Sequence, residues 1–255
     1  MVRLGDTENG ASERQGVAAI RDRLREAIVT GELGPDTVST QTQLADALGV
    51  SRTPLREALR MLELEGLIVR ETNRRFRIAG FSLDDLEELY IMRVSLEVSA
   101  LRVTLPSFDH ADHAELEGLM AQMERFALVR DWDGFEQPHR TFHMKLVDGV
   151  GLRVGEQLRR LWDHATRYRA AYAVVVGGAE PDDGWALRRA EHRALLDAVE
   201  EGDVRAAASI LASHYARTAL DIAGRVDPSN GMERLRTILE AQTGNRDLMD
   251  VRAAG

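Results

Sequence analysis

The chain has 255 residues, enough for two domains of ordinary size, and 44% of them are apolar, which excludes global disorder. It contains no cysteine, which excludes disulfides and thiolate metal sites and suits a reducing cytoplasm, where we expect the protein to work. No stretch approaches the ~18 uninterrupted apolar residues of a membrane span, so we expect no membrane partner.

The net charge of −9 is unevenly distributed. The segment 14–77 carries eleven arginines against nine acidic residues, whereas the rest of the chain carries 22 basic and 33 acidic side chains. A mildly basic N-terminal part therefore precedes an acidic body, and the acidic total does not exclude a nucleic-acid partner. The alternative is that two surfaces are simply solvated differently.

The N-terminal elements are short and helical. The first residues are polar and lack the apolar core of a signal peptide, so we expect a flexible tail over 1–15. Apolar residues recurring every four positions predict a helix over 17–30, followed by a shorter helix over 42–48 that Gly49 ends as a left-handed cap. Ser51 is a good N-cap for a third helix with a leucine face.

After Gly66 the sequence changes from a helical to an alternating pattern. A strand is predicted over 67–69, a polar turn over 71–75 and a second strand over 76–78. Three short helices followed by a β-hairpin are typical of a winged helix-turn-helix, which we place at residues 16–80.

The remainder is helical. Helices are predicted near 83–104, 109–129, 132–148, 151–176, 184–201 and 203–224. Residues 227–255 are expected to form a C-terminal tail with one short amphipathic segment, 232–241. The fold class is therefore mainly α: a winged helix-turn-helix, then an antiparallel all-α helical bundle over residues 82–226.

The third helix carries the candidate DNA-reading residues. Arg52, Arg56 and Arg60 recur every four positions on the face opposite or flanking the leucines. Arginine suits bidentate contact with guanine and contact with phosphate, and Thr53 at the helix N-terminus can bind a phosphate or a base. The alternative is a solvated face on which Glu57 and Glu63 pair with the arginines.

The predicted hairpin adds a second basic group. Arg74, Arg75 and Arg77 are placed for contact with the DNA backbone or the minor groove. This basic hairpin, together with the turn before the third helix, favours DNA recognition over a solvated face.

Four of the seven histidines form a possible metal site. His139 and His143 are separated by four residues, so on a helix they lie on one face, roughly 6 Å apart. His192 lies ten residues before Gly202 and His214 twelve after it. In an antiparallel hairpin of helices both would therefore lie ~15–18 Å from the joint, at similar height.

Imidazole suits Zn²⁺, Ni²⁺, Cu²⁺ or Fe²⁺, and two such pairs can converge inside a helical bundle. Four neutral ligands would leave the ion with its full charge, so an open coordination position would attract a carboxylate. The alternative is four ordinary helix-surface histidines. His110, His113 and His164 are expected in ordinary surface or core roles.

Residues 43–67, preceded by 28–33, resemble the N-terminal domain of GntR-type regulators. The resemblance implies that Arg52 and Arg56 read or clamp double-stranded DNA, and that a homodimer binds a short palindromic operator. Thr42 stands where the family often has arginine or another polar residue, so this third major-groove contact is expected to differ.

The helical part resembles the FCD ligand-binding domain of FadR-type GntR regulators, through residues 89–97, 142–143, 191–192 and His214. Many members hold a metal with one Asp and three His. The histidines at 143, 192 and 214 match the three, and His139 stands where the family usually has Asp. The resemblance implies a divalent transition metal, with Zn or Ni expected.

The family's effector is commonly a small organic acid beside the metal, and Arg93 and Arg169 are the candidates to bind its carboxylate. We therefore expect a DNA-binding transcription regulator, usually a repressor, that responds to a small carboxylate metabolite. A dedicated metal sensor and a purely structural metal are alternatives. A metal-dependent enzyme is disfavoured because an H-E-x-x-H motif is missing and Glu191 is expected to point away from the ligands.

Overall fold

The computed structural model describes residues 7–29, 31–72, 75–80, 82–175 and 182–244. The N-terminal elements are α1 (Thr7–Val29), β1 (Val38–Thr40), α2 (Gln41–Leu48), α3 (Arg52–Leu64), β2 (Ile68–Arg70) and β3 (Arg75–Ile78). They are followed by α4 (Leu83–Thr104), a 3₁₀ turn (Leu105–Ser107), α5 (His110–Leu128), α6 (Trp132–Leu146), α7 (Leu152–Val175), α8 (Asp182–Glu200), α9 (Val204–Val226) and α10 (Glu233–Thr243). The predicted mainly α architecture is confirmed, and the ends of the helices from α4 to α9 agree within two residues.

The chain divides into two compact units. The first takes the chain up to Ser82 together with Thr166–Val174, and the second takes Leu83–Ala165 and the chain from Val175 onward. The second half of α7 thus groups with the N-terminal elements, which differs from the predicted boundary at residue 82. The reason is local hydrogen bonding: Arg167 donates to the carbonyl of Ala79 at 2.6 Å, and the Tyr168 hydroxyl donates to the carbonyl of Ser82 at 3.2 Å.

The first unit is a winged helix-turn-helix with one apolar core. Its three strands form an antiparallel sheet in the order β1-β3-β2, in which Phe76 lies opposite Ser39 and Ile78 opposite Ile68. The core is built by the apolar faces of α1, α2, α3 and the sheet, and its buried members are Ile20, Leu24, Ile28, Leu44, Ala45, Leu55, Ala58, Leu59, Leu62, Leu67, Ile68, Phe76 and Ile78.

Strand β1 was missed because three residues are too short for a period-two pattern to be visible. At its end Thr40 caps α2 in a capping box, accepting from the backbone of Gln43 while the Gln43 side chain accepts from the backbone of Thr40. Gly49 ends α2 in the left-handed region with a φ of 67°, as predicted. Ser51 occupies the N-cap position of α3, but its side chain makes no capping hydrogen bond.

The expected flexible tail over 1–15 requires correction, since α1 begins at Thr7. The added helical segment has no apolar periodicity, which is why the sequence did not indicate it. Glutamate, alanine, arginine and glutamine in this segment are good helix formers, and they extend a helix that is anchored in the core further along.

The second unit is an all-α bundle centred on α4. That helix buries side chains on several sides, among them Leu86, Tyr90, Val94 and Leu101. It packs against α9 and α10, while α5 packs against α6 and α8, and α8 packs against α9. The turn between α8 and α9 contains Gly202 with a φ of 67°. The predicted helical hairpin is therefore present.

The expected C-terminal tail over 227–255 also requires correction. Helix α10 packs on α4 and α9 and buries Leu235 and Leu239. Its N-terminus is held by the buried carboxylate of Glu87, which accepts from the backbone N–H groups of Arg234 and Leu235. The amphipathic segment predicted at 232–241 is thus part of the bundle, and residues 245–255 lie outside the described residues.

Candidate nucleic-acid interface and metal centre

Helix α3 has one buried and one basic face. Its leucines at 55, 59 and 62 lie in the core of the first unit, and the opposite face exposes the three predicted arginines, Arg52, Arg56 and Arg60. Glu57 lies 3.7 Å from Nε of Arg56 and 3.9 Å from Nη1 of Arg60. Ion pairs of this length between exposed side chains contribute little, so a stronger anionic partner can displace Glu57.

The two predicted threonines lie at helix N-termini. Thr42 is exposed in the first turn of α2, and Thr53 is exposed in the first turn of α3. Backbone N–H groups and the helix dipole make such positions favourable for a phosphate group. Both side chains therefore lie where an anion would be accepted.

The arginines of the hairpin differ in their surroundings. Arg75 is exposed at the start of β3, whereas Arg74 lies outside the described residues. Arg77 on the same strand donates from Nη1 to Asp36 at 2.7 Å and from Nε to Glu71 at 3.0 Å. Its charge is thus already neutralised within the unit, so the prediction that Arg77 contacts the DNA backbone is not supported by its ion pairs.

The four predicted histidines come together in the second unit. His139 and His143 lie on α6, His192 on α8 and His214 on α9. All four are buried, and one ring nitrogen from each lies within 4.8 Å of those of the others. The spacing of four on α6 and the hairpin of α8 and α9 produce this convergence, as the sequence predicted.

In each ring, we call the nitrogen that faces the other histidines the inner nitrogen and the second one the outer nitrogen. Hydrogen bonds to the outer nitrogens orient three of these histidines. Nδ1 of His192 lies 2.8 Å from the carbonyl oxygen of Arg188, and Nδ1 of His214 lies 2.9 Å from a carboxylate oxygen of Glu191. Nδ1 of His143 lies 3.0 Å from the hydroxyl of Tyr215. Metal-binding histidines commonly have such partners, which fix the ring and its tautomer.

The inner nitrogens face one another. Nε2 of His143 lies 3.1 Å from Nε2 of His192. Burial, together with the neighbouring histidines, lowers the pKa of both side chains well below the ordinary value of 6.5. Both imidazoles are therefore neutral at pH 7, which is the form that binds a metal ion.

Aromatic rings surround the cluster. Phe135 stacks on His139 with ring centroids 5.0 Å apart, and Trp162 contacts His139 and His143 at 5.3 and 5.1 Å. Arg93 is fully buried beside them, donating from Nε to Glu97 at 2.7 Å and lying 4.0 Å from the centre of the Tyr215 ring. Within the described part of the chain, Nη2 of Arg93 has no hydrogen-bond acceptor.

Arg169, the other candidate for effector binding, belongs to a different unit from Arg93. Arg169 lies in the stretch of α7 that groups with the first unit, and its Nη2 donates to the Thr166 hydroxyl at 2.8 Å. The sequence interpretation also missed two residues that contact the cluster or its partners, Tyr215 and Glu97, and it gave Glu191 no role in the site. Two signals pointed to them, since Tyr215 and Glu191 are chain neighbours of candidate ligands and Glu97 stands four residues after Arg93.

Glu191 contacts one of the candidate ligands. It was expected to point away from the ligands, but it accepts a hydrogen bond from Nδ1 of His214 and forms an ion pair with Arg217 at 2.7 Å. Although burial opposes the effect, these partners lower the pKa of Glu191. It is thus an anchored partner of His214.

Comparison with known proteins agrees with both units. Residues 17–78 match the family described as bacterial regulatory proteins, gntR family, and residues 88–217, slightly more than half of the chain, match the FCD domain. The HTH-type transcriptional regulator YdhC of Bacillus subtilis is 29% identical over 198 residues, which cover 76% of this chain and 85% of YdhC. The HTH-type transcriptional repressor GlaR of Escherichia coli is 27% identical over 200 residues, covering 75% of this chain and 88% of GlaR.

Solved structures share the fold. Escherichia coli McbR/YncC superposes with a TM-score of 0.73 at 20% identity, covering 83% of this chain and 99% of that protein. A GntR regulator from Rhodococcus sp. RHA1 superposes with a TM-score of 0.67 at 24% identity, covering 82% of this chain and 97% of that protein.

Among the described helices, none combines the length and apolar character that a membrane crossing requires. The relatives are transcription regulators and not enzymes, and this chain belongs to the GntR family of DNA-binding transcriptional regulators, in the group that carries an FCD domain.

Proposed function

We propose that this protein is a repressor that binds a palindromic operator as a homodimer and senses a small carboxylate metabolite beside a divalent metal ion. The metal ligands are His139, His143, His192 and His214. Repression is supported by the name of its relative GlaR, a transcriptional repressor. We place the protein in the cytoplasm, which is consistent with a chain that contains no cysteine.

The observation that carries the metal is the convergence of four buried imidazoles, three of which are anchored by hydrogen bonds at their outer nitrogens. Two nitrogens bound about 2.1 Å from one ion, at angles between octahedral and tetrahedral, lie about 3.0–3.4 Å apart. The 3.1 Å separation of the inner nitrogens of His143 and His192 fits this geometry. The donor set therefore suits a transition metal.

The ligand chemistry favours Zn²⁺ or Ni²⁺. Nitrogen ligands suit these ions, whereas Mg²⁺ and Ca²⁺ prefer oxygen. His139 replaces the aspartate that the family usually provides, so the ligands supply no negative charge. The nearby carboxylates of Glu97 and Glu191 are each paired with an arginine. The ion would therefore keep its positive charge and attract the carboxylate of an effector.

The effector has a donor close to the metal ligands. Arg93 is paired with Glu97 through Nε, but its Nη2 is buried without an acceptor among the described residues and can donate to an incoming carboxylate. Arg169 stays a second candidate. An effector that binds two conformations of the regulator with different affinity would shift its affinity for DNA.

On the DNA side, the recognition helix is α3. We place Arg52, Arg56 and Arg60 in the major groove. Thr53 and Thr42, at helix N-termini, would each contact a phosphate or a base. Arg75 and Arg74 would contact the DNA backbone or the minor groove. The exposure of the described members supports these roles.

A second candidate function is metal sensing without an acid, and a third is a metal that only stabilises the fold. Fluorescence anisotropy with a labelled palindromic operator separates them. Our proposal expects an acid to change the affinity of metal-loaded protein for the operator. A response to metal alone would favour a metal sensor, and unchanged affinity after metal removal with a lower melting temperature would favour a structural metal.

A further inference from the structure

A buried polar chain runs from His143 away from the histidine cluster. Nδ1 of His143 lies 3.0 Å from the hydroxyl of Tyr215, and that hydroxyl lies 2.5 Å from Oε2 of Glu97. Oε1 of Glu97 accepts from Nε of Arg93 at 2.7 Å. All four side chains are almost inaccessible to solvent, so each hydrogen bond is strong and costly to lose.

The chemistry of the groups fixes where the hydrogens lie. Arginine only donates, so Glu97 accepts from Arg93 and, as a carboxylate, accepts again on its other oxygen. The single hydroxyl proton of Tyr215 therefore points to Glu97 across the short 2.5 Å contact. The phenol oxygen is left as an acceptor, and the proton between it and His143 must come from Nδ1 of His143.

We propose that Tyr215 is a positioning residue that holds His143 in the Nδ1–H tautomer and so keeps its Nε2 available as a metal ligand. The proposal rests on the metal site proposed above. Without the hydroxyl, His143 can move its proton to Nε2 and donate it to Nε2 of His192, which is 3.1 Å away. That hydrogen bond would satisfy both rings without an ion and would occupy two of the proposed ligands.

The arrangement also involves a helix that supplies no ligand. Tyr215 follows the ligand His214 on α9, so one turn of that helix supplies a ligand and supports another. Arg93 and Glu97 lie on α4, which immediately follows the N-terminal unit in sequence. A change at Glu97 would therefore reach the metal ligand through Tyr215.

Tyr215→Phe tests the proposal, because it removes only the hydroxyl. Tyr90→Phe is the matched control, since the Tyr90 hydroxyl is also buried near Arg93 but has no hydrogen-bond partner among the described residues. Zn²⁺ is titrated into the chelator-treated full chain against a chromophoric chelator. We expect Tyr215→Phe to bind Zn²⁺ about 10–100-fold more weakly, and Tyr90→Phe to bind it like the wild type.

The tautomer of metal-free His143 is read independently from its ring nitrogen chemical shifts. The wild type should show a proton on Nδ1, and Tyr215→Phe should show it on Nε2. Unchanged affinity and an unchanged tautomer in Tyr215→Phe would overturn the proposal, as would an equal loss of affinity in Tyr90→Phe. A wild type that binds no Zn²⁺ would instead overturn the metal site, while the tautomer measurement would still decide the role of Tyr215.

Discussion

Acidification of the metal-free protein should destabilise the second unit well before ordinary acid unfolding. Burial and neighbouring histidines lower the pKa of His143 and His192 well below the usual range, so both stay neutral in the folded chain. In the unfolded chain they take up protons near pH ~6.5. The unfolded state therefore binds more protons below that pH, and stability falls as the pH falls.

The magnitude follows from the number of groups. Each group that is protonated only in the unfolded state changes the free energy of unfolding by about 1.4 kcal/mol per pH unit. Two such groups give about 2.8 kcal/mol per pH unit below pH ~6, until the lowered pKa of the folded state is reached. This is a large share of the ~5–15 kcal/mol by which proteins are stable. Glu191, whose pKa is also lowered, adds to the loss only near the pH range where carboxylates titrate.

Urea unfolding of chelator-treated protein, followed by circular dichroism between about pH 7 and pH 5, measures this slope. His192→Gln should reduce it by about half, whereas His110→Gln, at an exposed position, should leave it unchanged. A free energy of unfolding that stays constant or rises as the pH falls through this range would contradict this prediction, since it would show that the buried imidazoles are protonated in the folded state.

Three further outcomes are expected from single substitutions. Arg56→Ala should weaken operator binding by about 1–3 kcal/mol, measured by anisotropy; an unchanged affinity would remove Arg56 from the interface. Arg77→Met should leave the salt dependence of operator binding unchanged, because Arg77 is paired with Asp36 and Glu71. A salt slope reduced by about one would instead assign Arg77 to a phosphate. Leu235→Ala should lower the free energy of unfolding by about 2–5 kcal/mol, and a loss below about 1 kcal/mol would mean that α10 does not contribute to the core.

Much of the fold followed from periodicity. The apolar residues at spacing four in α1 and the change of pattern after Gly66 were sufficient for the winged helix-turn-helix. Strand β1 and the early start of α1 were not visible, because neither carries an apolar repeat. Helix α10 was visible only as an amphipathic segment, since its attachment depends on Glu87, a residue far away in sequence.

The site was predictable in part for the same reason. The spacing of four residues places His139 and His143 on one face of α6. The similar distances of His192 and His214 from Gly202 place them side by side on α8 and α9. Two partners of their outer nitrogens, Tyr215 and Glu191, were visible only as chain neighbours of candidate ligands. The contact of Tyr215 with Glu97 was not predictable, because it depends on the packing of α9 against α4. The pairing of Arg93 with Glu97 was likewise not predicted. Arg93 was expected to bind an effector carboxylate; in the structure its Nε donates to Glu97 and its Nη2 is without an acceptor among the described residues.

A metal centre made of four histidines can be observed by anomalous X-ray diffraction from crystals of the full chain grown with Zn²⁺. We expect one anomalous peak in each chain, about 2.1 Å from a ring nitrogen of each of His143, His192 and His214 and within reach of His139. Crystals with no peak among these histidines, or with zinc bound only elsewhere on the chain, would contradict the proposed site.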